Sequence, residues 1–141
     1  MAEIPDSARA LLASAPLAHV VTTNRDGTAQ VSCTWVSLDG NTLVIASLAE
    51  NQKVRNLRRD SRVVLSFEST TKNAMGITEY LIVHGRAAIE EGGAPELLQE
   101  QARGYIGPEA RFPPMDNPPP GYLMRIEVDR VGGVGPWAES R

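Results

Sequence analysis

Six segments rich in β-forming residues, most of them joined by short turns, constrain the fold of this chain more than any other feature. They cover residues 17–24, 28–38, 42–47, 62–69, 77–91 and 122–131 of the 141 residues. Short turns between consecutive strands favour an antiparallel sheet over a doubly wound one. We therefore predict a mainly β fold, a small barrel of about six antiparallel strands with a few short helices, in one domain of residues 1–141.

The segments between the predicted strands are of two kinds. Apolar residues at helical spacing predict helices over about 4–15, 51–59 and 94–106, and the first and third of these have a proline near the start. Residues 107–121 hold six of the ten prolines and are predicted to form an irregular loop. Within the strand 77–91, Gly85 is expected to introduce a bend or bulge.

Composition and charge exclude several classes of protein. A formal net charge of -3 and a sequence pI near 5.4 argue against a broad nucleic-acid-binding face. The N-terminus does not read as a secretory signal, and no segment has the roughly 18 consecutive apolar residues of a membrane span. The single cysteine, Cys33, excludes an internal disulfide and a thiolate zinc cluster. We expect a cytoplasmic protein without a membrane or nucleic-acid partner.

Residues 28–35 alternate between apolar and polar side chains. Ala29, Val31, Cys33 and Trp35 share one face of the predicted strand, and Thr28, Gln30, Ser32 and Thr34 share the other. The apolar face is expected to be core, with Cys33 a buried small hydrophobe rather than a nucleophile. The polar row is either an ordinary solvent face, which the pattern alone favours, or a row that hydrogen-bonds the edge of a planar heterocycle.

A basic segment, "SLAENQKVRNLRRDSRV", follows the third predicted strand. Its cations are five of the 14 Lys and Arg residues of the chain: Lys53, Arg55, Arg58, Arg59 and Arg62. A helix beginning near Asn51 offers free backbone amides, with Ser47 upstream and Lys53 in the first turn, and this arrangement suits a phosphate group. A solvated face partly neutralised by neighbouring acids explains the same charges, and spacing alone leaves both alternatives open.

Val54 and Leu57, which lie three residues apart in this segment, are expected to face the core, while Lys53 and Asn56 share a second face. Near the other end of the chain, Trp137 follows a glycine-rich stretch. It is either a packing anchor or a flat wall beside a bound ring.

The two histidines, His19 and His84, stand in strands of apolar neighbours, where a histidine is more often structural than a ligand or base. They do not form a spacing that defines a metal site.

The order of short helix, hairpin with a polar row, buried strand, Ser47 and then "QKVRNLRRD" resembles the split β-barrel flavin and deazaflavin oxidoreductases, the superfamily of pyridoxamine 5'-phosphate oxidase. The segments "DGTAQVSCTWV" and "SLAENQKVRNLRRD" are similar to its small actinobacterial branch that uses the deazaflavin coenzyme F420. One departure is Ser61, which follows Asp60 where the family commonly has proline.

The resemblance implies roles for particular residues. Ser47 and Lys53 match a serine and lysine that grip the cofactor phosphate, with Asn51 and Arg55 as helpers. Gln30, Ser32 and Thr34 match the strand that faces the ring. Trp137 joins these candidates on its own pattern, with both of its alternatives open. The resemblance also implies a homodimer with the cofactor at the subunit interface, so that some ligands come from the partner.

The activity that follows from the resemblance is a hydride transfer from reduced coenzyme F420 to an electrophilic small organic substrate, with no catalytic residue assigned. Five clustered cations suit the phosphodiester and polyglutamate tail of this coenzyme better than the single phosphate of FMN. The alternatives are an FMN-dependent oxidoreductase on the same scaffold, and a non-catalytic protein that binds a flavin, a deazaflavin or haem. In the haem version, His19 or His84 is the iron ligand.

Overall fold

The structure, a computed structural model, describes residues 2–138, and these form a seven-stranded antiparallel sheet with three α-helices. The strands are β1 (Ala18–Thr23), β2 (Ala29–Thr34), β3 (Ser37–Asp39), β4 (Thr42–Ser47), β5 (Arg62–Lys72), β6 (Thr78–Glu91) and β7 (Tyr122–Val134). The helices are α1 (Asp6–Ala13), α2 (Gln52–Arg59) and α3 (Ala94–Tyr105), with a final 3₁₀ turn at Pro136–Ala138. The mainly β prediction and the three predicted helices are confirmed.

The strands follow one another in the order β2-β1-β5-β6-β7-β4-β3, and every neighbouring pair is antiparallel. The inner face of the sheet carries the core. Its largest fully buried side chains include Phe67, Leu65, Leu81, Met124 and Ile126. Five consecutive residues of β4, from Leu43 to Ser47, are buried, so this strand is covered on both faces.

The segment predicted as one strand over residues 28–38 is two strands at opposite edges of the sheet. β2 pairs with β1, whereas β3 pairs with β4. Between them the backbone N–H of Val36 donates to the hydroxyl oxygen of Tyr105 at 3.1 Å, and the ring of Trp35 stacks on the ring of Tyr105. The contact with α3 therefore draws the chain away from β1 after Thr34 and raises the number of strands to seven.

Two local predictions are confirmed. The pairing of β6 with β7 shifts register between His84 and Gly85, and a Cβ at Gly85 would collide with the carbonyl oxygen of Glu127. The bulge therefore requires glycine. Residues 107–121 contain no helix or strand, as their prolines predict. Across residues 2–138, none of the helices combines the length and the apolar character needed to cross a membrane.

Candidate functional site

Ser47 and Asn51, two residues of the predicted phosphate-binding site, fix the turn that leads into α2. The Oδ1 atom of Asn51 accepts from the backbone N–H of Val54 at 3.1 Å and so caps the helix. The amide of Asn51 donates to Ser47 Oγ at 3.1 Å, and Ser47 Oγ donates to the carbonyl of Ala49 at 2.6 Å. Ser47 and Asn51 therefore shape this turn through hydrogen bonds within the chain.

The buried face of α2 combines core packing with polar contacts to the β1–β2 hairpin. Val54 and Leu57 are 0% and 2% exposed and join the core, which confirms their prediction. Lys53 is only 6% exposed, and its ammonium Nζ lies 3.3 Å from Ser32 Oγ. An ammonium carries three N–H donors. Because burial removes water from the charged form, the pKa of Lys53 lies below its ordinary value.

No carboxylate within residues 2–138 forms an ion pair with Lys53, and burial is the sole cause of the lowered pKa. The hydroxyl of Ser32 therefore satisfies one of the donors of a buried cation, and the others remain available to an anion. Charge-assisted hydrogen bonds from an ammonium to a phosphate are among the stronger hydrogen bonds in proteins.

The two faces of β2 are the reverse of what its alternation predicts. Ala29, Val31 and Cys33 are exposed, with Val31 59% exposed, whereas Gln30, Ser32 and Thr34 are half-buried on the side that α2 covers. The prediction that the apolar face is core, with Cys33 buried in it, is wrong. The reason is that α2 brings the polar side chains of Lys53 and Asn56 against the inner side of the hairpin, where they require polar partners.

A hydrogen-bond network joins α2 to the hairpin beside Lys53. Asn56 is 0% exposed, and its Nδ2 donates to Thr22 Oγ1 at 3.0 Å and to Asn24 Oδ1 at 2.9 Å. Its Oδ1 accepts from Gln52 Nε2 at 2.7 Å. The hydroxyl of Thr22 donates in turn to Gln30 Oε1 at 2.9 Å. This network fixes the helix relative to the strand that carries Ser32.

Asn56 and Thr22 were not predicted to belong to the site. The signal for Asn56 was its position three residues after Lys53, on the same helix face. Thr22 carried no signal in the sequence, because its role depends on a contact with Asn56 across 34 positions.

Replacing Asn56 with alanine is expected to destabilise the protein by about 2–4 kcal/mol, since it removes one buried and two partly buried hydrogen bonds and leaves Thr22 short of a partner. Urea unfolding followed by circular dichroism measures this loss. Arg55→Ala is the control on the exposed face of the same helix and should change the free energy of unfolding by less than about 0.5 kcal/mol. Equal losses in the two variants would contradict the role of the network.

A shallow depression that is open to solvent lies at the Gln30 end of the polar row. Its lining consists of Asn24, Arg25, Asp26, Gln30 and Gln52. Gln30 and Gln52 also belong to the network around Asn56, so this depression adjoins the elements that hold Lys53 in place.

The arginines of the basic segment differ from Lys53, because each is exposed and has a partner within the chain. Arg55 donates to the carbonyl of Glu50 at 2.6 Å and to Gln52 Oε1 at 2.9 Å. Arg58 forms an ion pair with Glu50 at 3.3 Å, and its guanidinium lies over the ring of Tyr122. Arg59 donates to the carbonyl of Thr23, and Arg62 forms an ion pair with Asp60 at 2.7 Å. Of the five cations of the basic segment, Lys53 is therefore buried and the four arginines are on the surface.

The other predicted residues are distributed as follows. Thr34 pairs with Ala18 at the end of β2 opposite Gln30. Trp137 is 5% exposed and lies in the core, where its indole Nε1 donates to the carbonyl of Tyr80 at 3.0 Å. Of its two predicted roles, the structure therefore supports that of a packing anchor. His19 is exposed on the outer face of β1. Residues 2–138 contain no group of three or more His, Cys, Asp and Glu that could hold a metal ion.

Comparison with known families identifies the class of protein that this fold and site define. The profile of the family "Pyridoxamine 5'-phosphate oxidase" matches residues 4–135. The chain therefore belongs to this family of split β-barrel proteins, which comprises flavin-binding oxidoreductases, and the predicted fold and family are confirmed.

Solved structures share the fold at low sequence identity. An F420 reductase is 22% identical with a TM-score of 0.74, and the match covers 92% of this chain and 98% of that one. The conserved hypothetical protein Rv2991 from Mycobacterium tuberculosis is 20% identical with a TM-score of 0.69, covering 95% and 88%. Group A Streptococcus HupZ is 20% identical with a TM-score of 0.65, covering 96% and 97%. No curated protein matches the chain significantly.

Proposed function

We propose that this protein is an oxidoreductase that binds the deazaflavin coenzyme F420 and transfers a hydride to an electrophilic small organic substrate. The observation that carries the proposal is Lys53, a buried ammonium whose hydrogen-bonding partner is a single hydroxyl, in a chain of a flavin-binding family. Keeping such a cation buried opposes folding, and an anionic ligand offsets that cost.

The residues proposed to hold the cofactor act in different ways. Lys53 binds the phosphate, and Ser32 orients the ammonium. Gln30 and Thr34, on the same face of β2, are proposed to face the ring. Ser47 and Asn51 hold the turn that starts α2, and Arg55 lies exposed one helical turn further on.

The chain itself contributes binding, orientation and exclusion of water. A bound deazaflavin supplies the hydride chemistry. Burial of Lys53 strengthens its attraction to a phosphate, because water no longer screens the charge. The network around Asn56 keeps α2 and β2 in register, so Lys53 and Ser32 keep their relative position.

Two observations favour the deazaflavin over FMN. One solved structure with this fold is an F420 reductase. In addition, Arg58 and Arg55 are exposed on the helix that carries Lys53, and their contacts with Glu50 and Gln52 are weak surface contacts that a polyanionic tail in solvent can displace.

An FMN-dependent oxidoreductase is the second candidate. The observation that favours it is that Lys53 alone among the five cations of the basic segment is buried, and one buried cation matches a single phosphate.

We also propose that the protein is a homodimer in which the outer face of the β2 edge is covered by a second copy. The outward side chains of this face include Ala29, Val31 and Cys33 on β2, with Val21 and Val64 beside Val31 on β1 and β5 and His19 opposite Cys33. Val31 is 59% exposed on this apolar surface. An edge strand with an apolar outer face is a typical site of association.

The activity is tested by mixing the purified protein with chemically reduced coenzyme F420 and a panel of enones and quinones, and following the absorbance of the oxidised coenzyme. We expect oxidation that depends on both protein and acceptor. Binding of the coenzyme without oxidation by any acceptor would favour a carrier. Turnover with FMN in place of the deazaflavin would favour the second candidate.

Cofactor affinity is expected to fall as the pH rises through the alkaline range. The anion binds the protonated ammonium of Lys53, and because the pKa of Lys53 is lowered, the loss should begin below the ordinary lysine value of 10.5. Fluorescence titrations between pH 7 and pH 10, in steps of about half a unit, measure the dissociation constant. Lys53→Arg is the control, since arginine does not titrate in this range. An identical pH dependence in both proteins would show that another group is responsible.

A further inference from the structure

An aromatic cluster lies where β2 leaves the sheet. The ring of Trp35 stacks on that of Tyr105, with centroids 5.5 Å apart and planes at 19°, and it meets the ring of Phe112 edge-on at 5.1 Å. All three side chains are half-buried. Phe112 belongs to the proline-rich segment of residues 107–121, to which the proposed cofactor site gives no role. The segment therefore adds a third ring to a partly accessible aromatic surface.

Hydrogen bonds place this cluster at the Thr34 end of the polar row. The hydroxyl of Tyr105 donates to the carbonyl of Pro16 at 2.8 Å and accepts from the N–H of Val36 at 3.1 Å. Pro16 and Val36 each lie two residues from the paired residues Ala18 and Thr34. Since a strand rises about 3.3 Å per residue, Trp35 follows Ser32 by about 10 Å along the chain.

The proline-rich segment is held in position on α3. The backbone N–H of Phe112 donates to Gln99 Oε1 at 3.0 Å, and Gln99 Nε2 donates to the carbonyl of Ala110 at 2.8 Å. The side-chain amide of Gln99 on α3 thus holds the backbone at Ala110 and at Phe112, on both sides of Arg111. The ring of Phe112 is presented to Trp35 by an ordered contact, which lowers the entropic cost of using it to bind a ligand.

Apolar side chains that neighbour the cluster in the chain are exposed. Leu17 follows Pro16 and is 49% exposed, Ile106 follows Tyr105 and is 62% exposed, and Met115 lies three residues after Phe112 and is 50% exposed. Exposed apolar side chains next to partly exposed aromatic ones along the chain offer apolar surface to which the body of a small ligand can bind.

We propose that Trp35, Tyr105 and Phe112 form the wall against which the substrate stacks, and that this substrate is a planar, apolar, conjugated molecule. The inference rests on the proposed function for the adjoining site and names its substrate class. A planar molecule gains stacking and apolar contact on such a wall. A small non-planar molecule gains less.

The binding test uses the full chain without added cofactor and the planar two-ring quinone menadione as probe. Quenching of tryptophan fluorescence reports binding, and Trp35→Phe assigns the signal, because the other indole, Trp137, is 5% exposed. In the Phe112→Leu variant the dissociation constant for menadione is expected to rise at least about tenfold. In the same variant the dissociation constant for coenzyme F420 should stay within about twofold of wild type. Losing a residue that anchors the coenzyme would change this constant by much more.

Two further variants keep the test decisive. Met115→Ala changes an exposed residue, so it should fold, and it is expected to weaken menadione binding by a smaller factor. Met75→Ala is the matched control, because Met75 is 81% exposed at the turn between β5 and β6 and should leave binding unchanged. The melting temperature of each variant shows that the fold is retained.

Unchanged menadione affinity in both Phe112→Leu and Met115→Ala would overturn the proposal. So would equally tight binding of 2-cyclohexenone, a smaller non-planar enone. If wild type binds menadione at this wall but binds neither coenzyme F420 nor FMN, the wall stands and the proposed function fails. The two failures are therefore distinguishable.

Discussion

Replacing Lys53 with methionine is expected to make the protein without cofactor more stable and at the same time to weaken cofactor binding strongly. Lys53 is 6% exposed and its ammonium has a single hydroxyl partner at 3.3 Å, so the folded protein carries a poorly compensated charge. Methionine keeps most of the length of the side chain and removes the charge. We expect the free energy of unfolding to rise by about 1–2 kcal/mol in urea titrations.

In the same Lys53→Met variant, cofactor binding is expected to weaken by at least about 1.5 kcal/mol, since a charge-assisted hydrogen bond to the phosphate is lost. Fluorescence titration measures this loss. Arg55→Met removes an exposed cation from the same helix and is the matched control, which should leave stability nearly unchanged. If Lys53 served only the fold, its substitution would destabilise the protein. A Lys53→Met variant that is less stable than wild type and binds the cofactor with unchanged affinity would therefore contradict the assigned role.

The stability difference between wild type and Lys53→Met should depend on pH. The folded state holds Lys53 with a lowered pKa, so between that pKa and the ordinary value of 10.5 the unfolded chain binds more protons than the folded one. The free energy of unfolding of wild type therefore rises with pH in this window. The advantage of the variant is fully present at lower pH and should shrink as the pH approaches 10.5.

Introducing a carboxylate at Val31 is expected to dissociate the proposed dimer. Val31 is 59% exposed at the centre of the apolar outer face of β2, so Val31→Asp leaves the fold of one subunit intact and places an unpaired charge in the interface. Leaving a charge buried and unpaired costs about 3–5 kcal/mol, enough to shift the dissociation constant of the dimer by more than about a hundredfold.

Sedimentation velocity at several protein concentrations measures this dissociation. Cofactor affinity should fall together with dimerisation if the partner contributes ligands to the proposed site, as the resemblance to the family implies. Met75→Asp, which changes a side chain that is 81% exposed, is the control and should remain dimeric. A wild-type protein that sediments as a monomer, or a Val31→Asp variant that dissociates with unchanged cofactor affinity, would contradict a site completed by the partner.

The sequence predicted the positions of the elements better than their orientation. Alternation in residues 28–35 identified correctly which side chains of β2 share a face. It did not indicate which face is inside, because that depends on α2, which brings Lys53 to Ser32 across 21 positions. The end of β2 at Thr34 also followed from a distant contact, since Tyr105 lies 69 positions from Val36. Local patterns encode periodicity, whereas long-range contacts decide burial.

The candidate site shows the same division. Helical spacing predicted that Val54 and Leu57 pack on the core and that Lys53 and Asn56 lie together. Spacing also placed Lys53 in the first turn near Ser47, but it could not indicate that the face shared by Lys53 and Asn56 is buried. Burial separates Lys53 from the four arginines around it, because only Lys53 lies beneath the hairpin, and the arginines have surface partners such as Glu50 and Asp60.

The most direct test of the central claim is a parallel titration of wild type and Lys53→Met with coenzyme F420 and with FMN, followed by fluorescence. We predict that wild type binds coenzyme F420 at least about tenfold more tightly than FMN, a difference of about 1.4 kcal/mol, and that Lys53→Met loses most of this affinity. Tight binding of FMN by wild type with no response to coenzyme F420, or equal affinity of wild type and Lys53→Met for the deazaflavin, would contradict it.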